Sequence, residues 1–131
     1  MEVSKTRQGI PVLGSVEAGF PGPAEEDLSD MLSLDDFLID NKEASYMLQV
    51  KGDSMIDAGI HEGDLVIVER GGEARSGDIV IAEVDGGWTM KYLRVKNGQQ
   101  FLEPANRRYP PLYPENDLKV AAIVRAVVRK Y

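Results

Sequence analysis

The sequence predicts a mainly β fold, in which a single compact domain of mostly antiparallel strands follows an extended N-terminal arm. Short segments that are β-branched, or that alternate apolar with polar residues, fill most of the chain after residue 45. Closely spaced turn signals separate them, and strands joined by short turns pair antiparallel. Residues 1–29 show little periodicity and are rich in glycine and proline, which disfavour a helix or central strand. We therefore expect a flexible arm over residues 1–29 and a β domain over residues 30–131.

The first predicted element is a short helix over residues 33–39. Ser33 suits the N-cap, and Asp36 stands at the third helical position, as in a capping box. Helical spacing places three apolar side chains on one face, those of Leu34, Phe37 and Leu38.

Six strands are predicted after the helix, over residues 46–51, 64–69, 78–84, 88–95, 100–103 and 118–128. Asp85-Gly86-Gly87 and Asn97-Gly98 suit tight hairpins with positive φ. The last strand is the longest apolar stretch, which predicts burial on both of its faces. The sequence leaves open whether that burial is in the core or at a subunit interface.

Composition limits the functions open to the chain. Its 131 residues suit one core, and 15 basic against 22 acidic residues give a net charge of −7, which disfavours direct nucleic-acid binding. We interpret Arg107-Arg108 and Arg125 with Arg129-Lys130 as solvated surface clusters. No apolar run approaches the roughly 20 residues of a membrane span, and residues 1–9 lack a secretory signal, so we expect a cytoplasmic protein with no membrane partner.

The absence of cysteine and the presence of a single histidine restrict the possible chemistry. Thiol nucleophiles and thiolate metal sites are excluded, and we expect no metal site and no cofactor. His61 lies in a Gly-Ile-His-Glu-Gly-Asp turn, and we interpret it as a solvent-facing loop residue rather than a catalytic base.

Ser54 is the candidate nucleophile. It follows a predicted strand and Gly52-Asp53, where a sharp turn exposes a hydroxyl and directs backbone N–H groups outward as oxyanion donors. The alternative is that Gly-Asp-Ser is only a turn.

Lys91 is the candidate base, because a serine hydroxyl needs one near neutral pH and a desolvated amine can serve. Strand alternation places Thr89, Lys91 and Leu93 on one face, which predicts burial and a lowered pKa for Lys91. The alternative is an ordinary surface lysine on a strand.

Five segments together resemble the LexA and UmuD family of self-cleaving proteins of the bacterial DNA-damage response, and the resemblance covers roughly residues 9–130. They are similar to the family's cleavage region, nucleophile loop, two following strands and lysine-bearing strand: Ala18-Gly19-Phe20-Pro21-Gly22-Pro23-Ala24, Gly52-Asp53-Ser54-Met55-Ile56-Asp57-Ala58-Gly59-Ile60, Gly63-Asp64-Leu65-Val66-Ile67-Val68, Gly77-Asp78-Ile79-Val80-Ile81-Ala82 and Thr89-Met90-Lys91-Tyr92-Leu93.

The resemblance implies a β fold like that of LexA and signal peptidase, and a serine endopeptidase that cuts itself. Ser54 would attack the carbonyl of Ala18 after Lys91 takes its proton, and Lys91 would return a proton to the amine of Gly19. The backbone N–H groups of Ser54 and Met55 would stabilise the oxyanion.

Within that family the chain is more similar to UmuD, because the Gly-Phe-Pro-x-Pro-Ala run is UmuD-like and no room precedes Ala18 for a helix-turn-helix domain. The resemblance then implies a homodimer, a RecA–ssDNA filament as activator, and a UmuC-like translesion DNA polymerase as partner. Three alternatives stay open: the C-terminal self-cleaving and dimerisation domain of a LexA-like repressor, a non-catalytic dimeric interaction module, and a signal-peptidase-like enzyme.

Overall fold

The computed structural model describes residues 9–23, 25–26 and 31–131. The chain forms two compact units, Met1–Asp40 and Asn41–Tyr131. The boundary that we predict between residues 29 and 30 falls outside the described residues and stays a prediction. Within the described ranges, no helix is long and apolar enough to cross a membrane.

The described part of the first unit contains two short antiparallel ladders and one helix. Strand β1 (Ile10–Pro11) pairs with β4 (Met31–Leu32), and β2 (Gly14–Ser15) pairs with β3 (Glu25–Glu26). The arm segment therefore folds back on itself where we expected an extended chain. Strands of two residues are too short to show the alternation on which strand prediction depends.

Helix α1 (Leu34–Leu38) follows β4, as predicted. The Ser33 hydroxyl accepts a hydrogen bond from the Asp36 backbone N–H at 3.4 Å, which confirms the N-cap. The helix has only five residues, so the N-cap bond satisfies one of its few backbone N–H groups.

The second unit is built on one six-stranded antiparallel sheet, which confirms the predicted mainly β fold. The strands lie in the order β5-β6-β10-β7-β8-β9. They are β5 (Ser45–Gln49), β6 (Leu65–Arg70), β7 (Ile79–Val84), β8 (Gly87–Lys96), β9 (Gln99–Glu103) and β10 (Leu118–Val128). Each predicted strand is confirmed to within two residues at either end.

The two glycine hairpins also form as predicted. Asp85 and Asn97 have φ of 49° and 53°, and Gly86 and Gly98 follow them with φ of 92° and 77°. Consecutive positive φ values are what two-residue hairpin turns require, and Asp, Asn and Gly tolerate them best.

Strand β10 lies in the middle of the sheet, between β6 and β7, although it comes last in the sequence. Ala122 and Ile123, which are consecutive in β10, point to opposite faces of the sheet and belong to separate core clusters. The first cluster contains Val50, Met55, Ile60, Val66, Val68, Ile81 and Ala122. The second contains Val80, Ala82, Leu93, Leu102 and Ile123. The centre of β10 is thus buried on both faces, whereas Val127 near its end is 40% exposed.

Candidate active site

The candidate nucleophile lies in a turn between β5 and β6. We call residues 52–59 the serine turn. Gly52 begins it with φ of +85°, a conformation in which a side chain would be strained, and its N–H donates to Glu62 Oε1 at 3.2 Å. A short 3₁₀ helix, Ile56–Ala58, completes it. Met55 is only 2% exposed and packs in the first core cluster, so the residue beside Ser54 is anchored.

The backbone N–H groups of Ser54 and Met55 take no part in the turn's own hydrogen bonds. The turn closes through other donors, since Ala58 and Ile60 both donate to the Met55 carbonyl, at 3.0 and 3.3 Å. Among the described residues, neither the Ser54 nor the Met55 N–H has a protein acceptor. Two adjacent unpaired N–H groups beside a hydroxyl are the donors that an oxyanion site needs.

Lys91 lies on β8, and its predicted burial is confirmed, because it is 9% exposed. Removal from water disfavours the ammonium and lowers the pKa of Lys91 below its ordinary value of 10.5. Its Nζ donates a hydrogen bond to Thr89 Oγ1 at 2.5 Å, which also confirms that the two side chains share a strand face.

Ser54 and Lys91 line the same cleft, which has a volume of about 310 Å³. Its apolar walls include Val66, Ile81 and Met90. The Lys91 amine donates to Thr89, and within the described chain no hydrogen bond joins it to the Ser54 hydroxyl. The cleft is therefore lined by Ser54, by Met55 beside it and by a lysine with a desolvated amine.

Ala18 and Gly19 lie in a bend of the first unit, between β2 and β3. A bend there is consistent with the small residues and prolines of this segment. The position of the scissile bond stays a prediction.

His61 does not belong to the cleft. It is exposed in the loop before β6, where its backbone N–H donates to Asp64 Oδ2 at 2.8 Å. Across residues 9–23, 25–26 and 31–131, no three histidine or acidic side chains cluster in a way that could hold a metal ion.

Arg129 is exposed, as the surface interpretation expected, but it is also ion-paired, which the sequence did not predict. Its guanidinium binds the buried carboxylate of Asp64 through Nε and Nη2, at 2.8 and 2.7 Å, and donates to the Gly59 carbonyl at 2.7 Å. The pair ties the chain after β10 to the end of the serine turn. Sequence reasoning missed it because the partners are 65 residues apart and Arg129 stands beside a second cationic residue in the sequence.

A mainly antiparallel β domain that matches a peptidase family defines the class of this protein as a serine peptidase. The chain belongs to the Peptidase S24-like family, whose model matches residues 11–127. The resemblance to LexA and UmuD proteins is thereby confirmed at the level of the family.

Relatives of two kinds are similar to the chain. Protein SamA of Salmonella typhimurium is 41% identical over 113 residues, which are 86% of this chain and 79% of SamA. The LexA repressor of Clostridium kluyveri is 36% identical over 122 residues, covering 93% of this chain and 60% of the repressor. A LexA repressor of Mycobacterium sp. is 41% identical over 121 residues, covering 92% and 52%. The chain thus spans little more than half of these repressors.

Proposed function

We propose that the chain is a self-cleaving serine endopeptidase, in which Ser54 is the nucleophile and Lys91 the general base. The observation that carries the proposal is the burial of Lys91 in the cleft that Ser54 lines. A buried amine with a lowered pKa has a larger neutral fraction near physiological pH than an exposed lysine, and only the neutral amine accepts a proton. The substrate bond is Ala18–Gly19.

The first step forms an acyl-enzyme. The Lys91 lone pair takes the Ser54 proton while Oγ attacks the Ala18 carbonyl carbon. The Ser54 and Met55 N–H groups hold the resulting oxyanion. Its collapse breaks the bond to the Gly19 nitrogen, which leaves with the proton from Lys91.

The second step frees Ser54. Water gives a proton to Lys91 and attacks the ester carbonyl, and the released serine oxygen takes that proton back. The Thr89 hydroxyl can keep its hydrogen bond from one Nζ–H throughout, because the lone pair of a neutral amine points away from its N–H groups.

We further propose that the processed form, residues 19–131, is a homodimeric accessory subunit of an error-prone, UmuC-like translesion DNA polymerase, and that a RecA–ssDNA filament activates the cut. Support comes from the UmuD-like run at residues 19–24 and from similarity to Protein SamA over 79% of its length. The test compares translesion synthesis by the polymerase alone with synthesis in the presence of the processed form, residues 19–131. The processed form should increase it.

A second candidate is the self-cleaving and dimerisation domain of a LexA-like repressor, which the 36–41% identity to LexA repressors favours. It predicts no stimulation of a translesion polymerase. A non-catalytic dimeric module is the third candidate, and it predicts that the Ala18–Gly19 bond persists under all conditions.

Incubation of the purified chain at high pH, followed by intact-mass measurement, tests the peptidase without any activator. Deprotonation of Lys91 should start cleavage and yield a fragment with Gly19 at its N-terminus. Ser54→Ala and Lys91→Ala should each abolish the fragment while circular dichroism shows a retained fold. Lys96→Ala, which changes an exposed lysine on the same strand, is the matched control and should cleave normally. An intact chain after days at pH 10 with the fold retained, or cleavage by Ser54→Ala, would contradict the proposal.

A further inference from the structure

A loop far along the chain holds the backbone on both sides of Ser54. It follows β9, and we call its residues Ala105, Asn106 and Tyr109 the brace. The Ala105 N–H donates to the Ser54 carbonyl at 2.8 Å, and the Ala105 carbonyl accepts from the Asp57 N–H at 2.7 Å. These bonds fasten the serine turn at two points.

Two side chains of the brace fasten the residue before the nucleophile. Asn106 Nδ2 donates to the Asp53 carbonyl at 2.8 Å, and the Tyr109 hydroxyl donates to Asp53 Oδ1 at 2.6 Å. Asn106 is itself oriented, because its Oδ1 accepts the Arg108 N–H at 2.9 Å. The amide orientation of Asn106 is thus set from both ends.

The brace donates hydrogen bonds to the Asp53 and Ser54 carbonyls, and these bonds determine where the Ser54 and Met55 N–H groups point. A peptide group is planar and trans, so the carbonyl of one residue and the N–H of the next lie in one plane and point in opposite directions. The Asp53 carbonyl accepts from Asn106 at 2.8 Å and, more weakly, from the Ile56 N–H at 3.2 Å, so Asn106 makes the shorter of the two bonds that fix the direction of the Ser54 N–H. Ala105, which holds the Ser54 carbonyl, fixes the Met55 N–H in the same way. A hydrogen bond to the carbonyl also polarises its peptide group and strengthens the opposite N–H as a donor.

We propose that Asn106 and Tyr109 are positioning residues of the peptidase, which aim the Ser54 N–H of the oxyanion site through Asp53. The inference rests on the proposed function, since it assumes that Ser54 is the nucleophile. Asn106 binds the Asp53 backbone carbonyl, and Tyr109 binds the Asp53 side-chain carboxylate. Neither residue touches the reacting atoms.

The main test is Asn106→Asp in the full-length chain, with self-cleavage measured across high pH by intact mass. The substitution keeps an oxygen for the Arg108 N–H but removes the donor to the Asp53 carbonyl. The plateau rate should fall about tenfold, the usual effect of losing one such hydrogen bond. The pH at half-maximal rate should not move, because Lys91 sets it.

Asn106→Ala is the second variant, because it removes the donor without adding a charge beside Asp53, and it should show the same loss. Asn116→Asp and Asn116→Ala are matched controls at an exposed asparagine whose side chain makes no hydrogen bond within the described chain. Both controls should cleave like the unmodified chain.

A double-mutant cycle tests Tyr109. Tyr109→Phe alone should slow cleavage about threefold to tenfold, whereas in an Asp53→Ala background it should have no further effect, because its partner is gone. Tyr113→Phe is the control, since Tyr113 stacks on Phe101 at 4.9 Å and the substitution keeps that ring.

The outcomes separate the two proposals. If the unmodified chain never cleaves, or Ser54→Ala cleaves, the peptidase assignment fails. If the unmodified chain cleaves and both Asn106 variants match its plateau, only the positioning role is wrong. The positioning role of Asn106 is also wrong if the two Asn106 variants cleave at the normal rate at a lower temperature, where they are as fully folded as the unmodified chain. The role of Tyr109 is wrong if Tyr109→Phe slows cleavage equally with Asp53 present and with Asp53→Ala.

Discussion

The Lys91 amine lies 2.5 Å from the Thr89 hydroxyl oxygen, two residues earlier on the same face of β8. Both residues line the cleft together with apolar side chains such as Val66 and Ile81, and the lysine is 9% exposed. Burial lowers the pKa of Lys91, while the threonine gives its amine a defined partner. A base that is both desolvated and oriented is what the proposed chemistry requires.

Thr89→Val tests that contact with little change in shape. Loss of the acceptor disfavours the ammonium, so the midpoint of the cleavage rate should move to lower pH. The amine also loses its orientation, so the plateau should fall about tenfold. Self-cleavage measured over a pH series checks both effects. An unchanged profile would mean that the hydrogen bond has no part in the reaction.

Lys91→Met should abolish cleavage and stabilise the fold. A lysine whose folded pKa is below its unfolded value of 10.5 binds its proton more weakly in the folded state, so stability rises with pH between the two values. The gain in melting temperature should therefore be largest below the folded pKa and shrink as pH approaches 10.5. Thermal unfolding at several pH values measures it. A loss of stability at neutral pH would contradict the burial penalty.

The sequence predicted the sheet strands well because their signals are local. Alternating apolar residues and turn pairs such as Asn97-Gly98 act within a few residues, and the burial of Lys91 followed from its strand neighbours. The insertion of β10 between β6 and β7 has no local signal, because pairing partners are chosen by tertiary packing.

The hydrogen bonds that hold the serine turn could not be predicted either, because they too have no local sequence signal. Asn106 and Asp53 are 53 residues apart, and Arg129 and Asp64 are 65 residues apart. None of these four residues carries a local sequence signal that identifies its partner. Only the fold shows that two separate segments converge on the turn that carries Ser54.

Asp64→Ala should lower the melting temperature at neutral pH by several degrees. Arg129 holds the pKa of the Asp64 carboxyl well below its ordinary value of 3.8, so the stability that this pair contributes is present above pH 3.8 and is lost as pH falls. The difference between variant and unmodified chain should therefore narrow in acid. Asp117→Ala, at an exposed carboxylate, is the control and should change little. Equal melting temperatures for the Asp64 variant and its control at pH 7 would contradict this role.

Gly19→Trp tests the position of the scissile bond. A bulky side chain next to the cut would keep the Ala18 carbonyl from the serine, so cleavage should fall at least about a hundredfold, since small misplacements of reacting atoms are costly. Val16→Trp, at a side chain that is 92% exposed in the same arm, is the matched control and should be processed at the rate of the unmodified chain. Processing of Gly19→Trp at the rate of the unmodified chain would show that another bond is cut.

The most direct measurement is an NMR titration of Lys91 in the Ser54→Ala chain, which cannot consume itself, beside the pH dependence of cleavage by the unmodified chain. The side-chain carbon next to the amine reports the protonation of this one lysine. We expect it to titrate clearly below 10.5, at the same pH at which cleavage reaches half its maximum. A Lys91 that titrates at 10.5 or above, or a cleavage midpoint that does not coincide with it, would contradict its role as the base.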